Sequence, residues 1–325
     1  MKVKITDLQD LMIQLLKKNY SDTEAQSISE VLLYAELSGK NTQGLLKLMG
    51  GSEAAQNIKP KHPPKIIKET KLSALIDGGG ANGPLVAQVA TDKAISIAME
   101  QGFAIVGSNN TFSSVGAISF YARKLAKNNL IGIVAAGSPK AILHDGGIDP
   151  LYGTNPIAFS FPTETHPITF DSASSAITWS GLVRAKALGQ KLPENVAIDK
   201  NGNMTVDPDE AMSGALLPFD RSYKGSGIAM CIELLTGPLT GAQYIFEDGD
   251  WGTIFIAISP DLLVGVDEFK KHSSDFISKI KESRTMPGKK IHIPGFDKES
   301  QIDELMRLGE IEIEDKIIKA LKGML

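Results

Sequence analysis

The sequence predicts an α/β protein with a sheet at its centre and helices at both ends of the chain. Three observations carry that prediction. Apolar residues recur at helical spacing near both termini, and from Leu72 onward short β-type runs alternate with helical stretches. The chain has 325 residues, 42% of them hydrophobic, which is enough for a well-buried core. The two terminal helical parts are expected to pack together on one side of the sheet.

The first stretch, residues 1–18, places Leu8, Leu11, Met12, Leu15 and Leu16 on one helical face, with Thr6 or Asp7 as its cap. It lacks the apolar centre and cleavage site of a signal peptide. A second helix over 23–37 has an acidic start, and the helical character continues to about residue 58. KPKHPPK opens a short, basic, Pro-rich linker at 59–66.

The predicted strands are SALID (73–77), FAIVG (103–107), IGIVAAG (131–137), PIAFSFP (156–162), ITFD (168–171) and TIFIAIS (253–259). Residues 84–101, 117–128 and 226–235 have helical periodicity between them, and the tail is helical over 266–283 and 301–325. The expected division is a helical domain of 1–66 with 265–325, and an α/β domain of 67–264.

Composition narrows the partners. A net charge of -4 with interspersed signs argues against nucleic acid, whose binders gather Lys and Arg on one face. No run approaches the ~20 apolar residues of a membrane span, so no membrane partner is expected. Cys231 is the single cysteine, so no internal disulfide can form and a reducing, cytoplasmic compartment is expected. Within its apolar run it is read as a small buried hydrophobe.

Several segments carry candidate chemistry. Gly78 to Gly83 formally match G-x-G-x-x-G, but the following strand ends in Val106-Gly107-Ser108 with no acidic residue for a ribose, so a glycine turn is preferred. The histidines are His62, His144, His166, His272 and His292; no two have metal-ligand spacing, and no metal site is expected. His144, followed by Asp145 and a Gly-Gly turn, either presents a titratable ring at a cleft edge or stabilises the turn. The small residues from Asp171 to Ser175 either form an anion-binding concavity or cap a helix near Ala176. Lys224 and Gly225 open a helix whose N-terminus would attract an anion.

In order along the chain, Gly146-Gly147, Leu151 with Gly153-Thr154-Asn155-Pro156, Asp171-Ser172-Ala173-Ser174-Ser175, Ala197-Ile198-Asp199, Asp207-Pro208, Gly214-Ala215-Leu216-Leu217-Pro218, Lys224-Gly225 and Pro294-Gly295 resemble the type 2 malate/L-lactate dehydrogenase family. That family includes ureidoglycolate, sulfolactate and diketogulonate oxidoreductases. The resemblance implies a non-Rossmann fold with a central mixed sheet, a nicotinamide cofactor (NAD or NADP, NAD preferred), a small carboxylate substrate and a homodimer. It also implies cofactor contacts at Asp171, Ala173, Ser174, Ser175, Lys224, Gly225, Pro294, Gly295, Ser114 and Gly116, and a substrate contact at Thr154.

Two departures stand out. Family members carry Ser-His-Gly and then an arginine, the histidine giving the proton and the arginine binding the substrate carboxylate; this chain has Thr42-Gln43-Gly44 and Lys47. A second family histidine is missing from the segment 110–116. Glutamine hydrogen-bonds a carbonyl but does not ionise, and lysine keeps the charge without the bidentate fork. The expected function is hydride transfer between NAD(P) and a small 2-hydroxy or 2-keto acid. Lys47, His144 or a water held by Gln43 would supply the proton, and Lys47 would bind the carboxylate. The alternatives are a cyclic imino acid reductase and a catalytically silent dinucleotide-binding protein.

Overall fold

A computed structural model describes residues 1–49, 54–246 and 249–325. The chain opens with β1 (Lys2–Lys4), α1 (Ile5–Leu16) and α2 (Asp22–Leu37). Thr6 and Asp7 do not cap α1. The helix begins at Ile5, where the ladder between β1 and a late strand ends, and the Ile5 N–H donates to Gly309 O at 2.9 Å. Asp7 instead lies in the first turn, favourable beside the positive end of the helix dipole. Ser21 caps α2 in a capping box with Glu24, an arrangement worth ~1 kcal/mol. Among the described residues, 38–49 and 54–58 are not helix in the predicted sense but hold short 3-10 turns at Asn41–Gln43, Leu45–Leu48 and Ala55–Asn57; the part of that expected helical stretch at 50–53 lies outside the described residues.

Next come β2 (Lys65–Glu69), β3 (Ser73–Asn82), α3 (Gly83–Gln101), β4 (Phe103–Phe112), α4 (Ser119–Lys127) and β5 (Ile131–Ala136). The linker expected at 59–66 therefore ends in an exposed edge strand. The glycine turn expected at 78–83 is also corrected: β3 runs through the glycines with a shift in register between Asp77 and Ala81, and α3 begins at Gly83. Gly79 and Gly80 make the irregularity possible, with φ of 64° and 72°. Helix α3 ends on Gly102 in the left-handed conformation and crosses back, making β3 and β4 parallel.

Then follow β6 (Ile142–Leu143), β7 (Pro150–Tyr152), β8 (Ile157–Phe161), β9 (Ile168–Ser172), α5 (Trp179–Ala187), β10 (Ala197–Ile198), α6 (Pro208–Ser213), β11 (Ala215–Leu216), α7 (Tyr223–Thr236) and β12 (Thr253–Ile258). The chain closes with α8 (Val266–Glu282), α9 (Phe296–Leu308), β13 (Glu310–Glu312) and α10 (Asp315–Lys322). The central sheet has the order β2-β3-β4-β12-β5-β8-β9, mixed because only β3 and β4 are parallel. A smaller sheet has the order β10-β11-β6-β7, and β1 pairs with β13.

One apolar cluster runs from Leu8, Leu15 and Leu32 through Ile76, Val106 and Phe255 to Ile302, Ile318 and Leu321. The two terminal helical parts thus pack together against the central sheet. The smaller sheet has its own clusters, around Leu182 and Leu216 and around Ile198 and Leu217. From β4 to β9 each strand is antiparallel to its neighbour. The ends of β4, β5 and β9 and the starts of β12 and β8 therefore meet at one edge of the sheet.

Candidate active site

A cavity of about 410 Å³ occupies that edge. Its wall is formed by Ser114 and Gly116 after β4, Ser138 after β5, Thr154 before β8, Asp171 and Ala173 at the end of β9, and Trp251 before β12. Gln43 and Lys47 reach it from the 3-10 turns, and Thr178, Trp179 and Ser180 from the start of α5. A second cavity of about 290 Å³ is lined by Tyr34, Ser38, Pro294 and Gly295. Lys40 and Asp171 line both.

The Gly-Thr-Asn segment shows why its residues are of these types. A Cβ at Gly153 would lie 2.2 Å from Ser138 O, so only glycine fits. Asn155 is fully buried with φ 32°, a conformation asparagine tolerates better than most residues. Its Nδ2 donates to Glu233 Oε2 at 2.6 Å and Ala229 O at 3.1 Å, and its Oδ1 accepts from Ser138 N at 3.2 Å. Every polar atom of that side chain serves the loop, leaving Thr154 to face the cavity. Ser174 belongs to the same support: its hydroxyl donates to Asn155 O at 2.7 Å and its N–H to Thr154 O at 2.8 Å.

The Gln43 turn is held from behind. Glu36, 6% exposed, accepts the Leu45 N–H at 2.7 Å, and burial raises its carboxyl above the ordinary value. Gly116 adopts φ 82°, which lets the chain turn sharply under Ser114. Gln43 Oε1 is buried without a partner among the described residues. An orphaned acceptor costs free energy unless a ligand brings a donor.

The structure thus gathers Gln43, Lys47, Ser114, Gly116, Thr154, Asp171 and Ala173 on one cavity and Pro294 and Gly295 on the next. Five predicted residues lie elsewhere. His144 Nδ1 is 3.1 Å from Tyr152 Oη, its ring edge-on to that tyrosine and outside the cavity. Ser174 and Ser175 are buried behind the wall, and Lys224 is exposed at the start of α7. Gly225 donates its N–H to Asp220 Oδ1 at 3.0 Å, so this chain's own carboxylate occupies the anion position at that helix start.

The alternative that 171–175 caps a helix near Ala176 is also corrected, because α5 starts at Trp179 on a Thr178 cap. Cys231 is corrected too: it is exposed, on a helix with a second apolar face. Lys40 escaped the sequence reading. Its partner Asp171 stands 131 residues away, and no local pattern marks such a pair.

The malate/L-lactate dehydrogenase family profile matches residues 3–322. The malate/(S)-sulfolactate dehydrogenase of Methanothermus fervidus is 32% identical over 329 residues, covering 97% of this chain and 94% of its own. The ureidoglycolate dehydrogenase (NAD(+)) of Escherichia coli K12 is 30% identical, covering 91% and 88%. The sulfolactate dehydrogenase of Methanocaldococcus jannaschii superposes with a TM-score of 0.88 at 30% identity, covering 100% of this chain and 96% of that one.

Proposed function

From the premise that this chain belongs to the malate/L-lactate dehydrogenase family, we propose that it transfers hydride between a nicotinamide cofactor and a small 2-hydroxy or 2-keto acid. The observation that carries the proposal is the convergence of Gln43, Lys47, Thr154 and Asp171, from separate parts of the chain, on one cavity. When bound, the cofactor supplies or accepts the hydride. The unpartnered Gln43 Oε1 and the adjoining second cavity fit such a ligand.

Lys47 holds the substrate carboxylate as a point charge, without the directionality of an arginine fork. Thr154 hydrogen-bonds the substrate, and Gln43 orients its polar end. Ser114, Gly116, Asp171 and Ala173 line the nicotinamide side, and Pro294 and Gly295 receive the remainder of the dinucleotide. NAD is the preferred cofactor, supported by the NAD(+) in the name of the ureidoglycolate relative.

Two further properties belong to the same proposal. The outer face of α7 leaves Ile228, Leu234 and Leu235 at 41%, 54% and 37% exposure, with Leu239 at 56% just beyond, and a second copy of this chain covers that face in a homodimer. The lone cysteine supports a reducing, cytoplasmic setting.

The test is purified protein with NADH and NADPH against a panel of 2-keto acids and cyclic imines, with cofactor binding followed by calorimetry. Turnover of a 2-keto acid is expected. Binding without turnover of any substrate leaves a silent dinucleotide-binding protein, and turnover of imines alone makes it an imino acid reductase.

A further inference from the structure

Lys40 has no part in the roles assigned so far, yet it stands where the two cavities meet. Its Nζ pairs with Asp171 Oδ2 and donates to Ser119 Oγ at 2.9 Å. The same Asp171 oxygen accepts the Ser119 N–H at 3.2 Å, fixing carboxylate and ammonium together. An ammonium has three N–H donors. Two are engaged by these partners, and the third remains for an oxygen in the cavity. At 35% side-chain exposure, Nζ also keeps a route to solvent. The Gln43 N–H donates to Lys40 O at 2.8 Å, so one turn carries both side chains to the same wall.

We propose that Lys40 is the proton donor to the substrate carbonyl; this rests on the hydride-transfer function above. The other groups meet the requirement less well. Lys47 must keep its charge to hold the carboxylate through the transition state, and giving up its proton would release the substrate at that moment. His144 lies outside the cavity, and an amide such as Gln43 does not ionise. Lys40 carries no substrate anion, and Asp171 holds it in position before and after the transfer.

The step balances. As C2 of the keto acid gains a hydrogen with its electron pair from the reduced nicotinamide, the C=O π pair moves onto oxygen. One Nζ–H bond of Lys40 breaks, its proton forms the new hydroxyl, and the neutral amine regains a proton from water. An alkoxide is a far stronger base than a lysine amine, so this direction needs no lowered lysine pKa. The reverse oxidation needs the neutral amine.

The charged and titratable groups facing Lys40 are Asp171 on β9, Lys298 and Glu299 on α9, His292 just before Pro294, Lys47 on the adjoining turn and Tyr34 on α2. His292, the histidine among them, is mostly exposed, with its Nδ1 3.5 Å from Asp297 Oδ2. With Lys40 as the donor and His292 outside the proton transfer, reduction is expected to be flat through neutral pH, and oxidation to rise steadily with alkalinity.

Lys40→Arg keeps the charge and the Asp171 pair but has no proton to give near neutrality. Its kcat for reduction should fall by ~10²–10⁴ with cofactor Kd and melting temperature unchanged, and ethylamine should restore part of the activity of Lys40→Ala. A Lys40→Arg enzyme with wild-type kcat overturns the assignment. So does a lost kcat accompanied by weaker cofactor binding and no amine rescue, because Lys40 then only anchors the dinucleotide. Wild-type protein that turns over nothing on the panel overturns the function itself, and is recognised before any substitution is made.

Discussion

Glu36 Oε1 accepts the Leu45 N–H at 2.7 Å, and a single methyl group added to the intervening Gly44 would stand 2.2 Å from that same oxygen. The turn that presents Gln43 and Lys47 is thus hung on one buried carboxyl with no slack. Gly44→Ala should push the turn off Glu36 and lower kcat/KM by well over tenfold, the scale on which a small misplacement of substrate-positioning groups acts. Steady-state kinetics beside circular dichroism would check it; wild-type kinetics in Gly44→Ala would mean that the turn is not held this way.

Burial raises the Glu36 pKa above 4.5, and the sign of its effect on stability follows. The folded state binds the proton more tightly than the unfolded state. Stability from this group therefore grows as pH falls through the folded pKa, is complete below 4.5, and is lost as pH rises. Glu36→Gln keeps an acceptor for Leu45 and removes the buried charge. Its melting temperature should exceed the wild-type value at neutral pH, and the difference should shrink on acidification toward 4.5. A constant difference across that range would show that Glu36 is not the group titrating.

Asn155 ties the Thr154 loop to α7 through Glu233 and Ala229. Asn155→Ala leaves the buried Glu233 without that donor and the Ser138 N–H without its acceptor. The cost should be ~2–5 kcal/mol in urea unfolding, from one or two orphaned buried groups. The substrate KM should rise as Thr154 moves. Unchanged stability would remove this loop from the supports of the site.

Lys47 answers a different question, that of carboxylate binding. Losing a hydrogen bond to a charged group costs ~1.5–3 kcal/mol, so Lys47→Ala should raise the substrate KM by roughly 10- to 150-fold with a smaller change in kcat. Lys47→Arg should lower the KM below wild type by offering two parallel N–H donors. An effect confined to kcat would shift Lys47 from binding to chemistry.

Much of the fold was legible because it depends on local patterning. The strands 103–107 and 253–259 and the helix 84–101 were marked by apolar periodicity. The short strands Ile142–Leu143, Ala197–Ile198 and Ala215–Leu216 were not, since two-residue pairings have no period to detect. At the site, Thr154 and Asp171 could be found from motifs with fixed spacing. Lys40 could not, because what makes it notable is a carboxylate brought to it by the fold. Cys231 was misjudged for a related reason: the alternation of apolar residues in α7 gives two apolar faces, and only packing decides which is covered.

The last prediction joins Gln43 to Lys40. The family pattern has a histidine at the position of Gln43, and the two side chains share one turn and one cavity wall. Gln43→His would place an imidazole with an ordinary pKa near 6.5 where a proton donor acts in that pattern. Added to Lys40→Arg, it should recover part of the lost kcat and bring in a dependence on pH near 6.5 that Lys40→Arg alone does not show. Rate profiles of Lys40→Arg and the double variant would be compared between pH 5 and 9. Recovery with that inflection would show that both positions serve one proton transfer, reached by different residues from the same turn. No recovery, with cofactor still bound, would mean that residue 43 does not reach the substrate oxygen in this chain, and Gln43 would lose its assigned role.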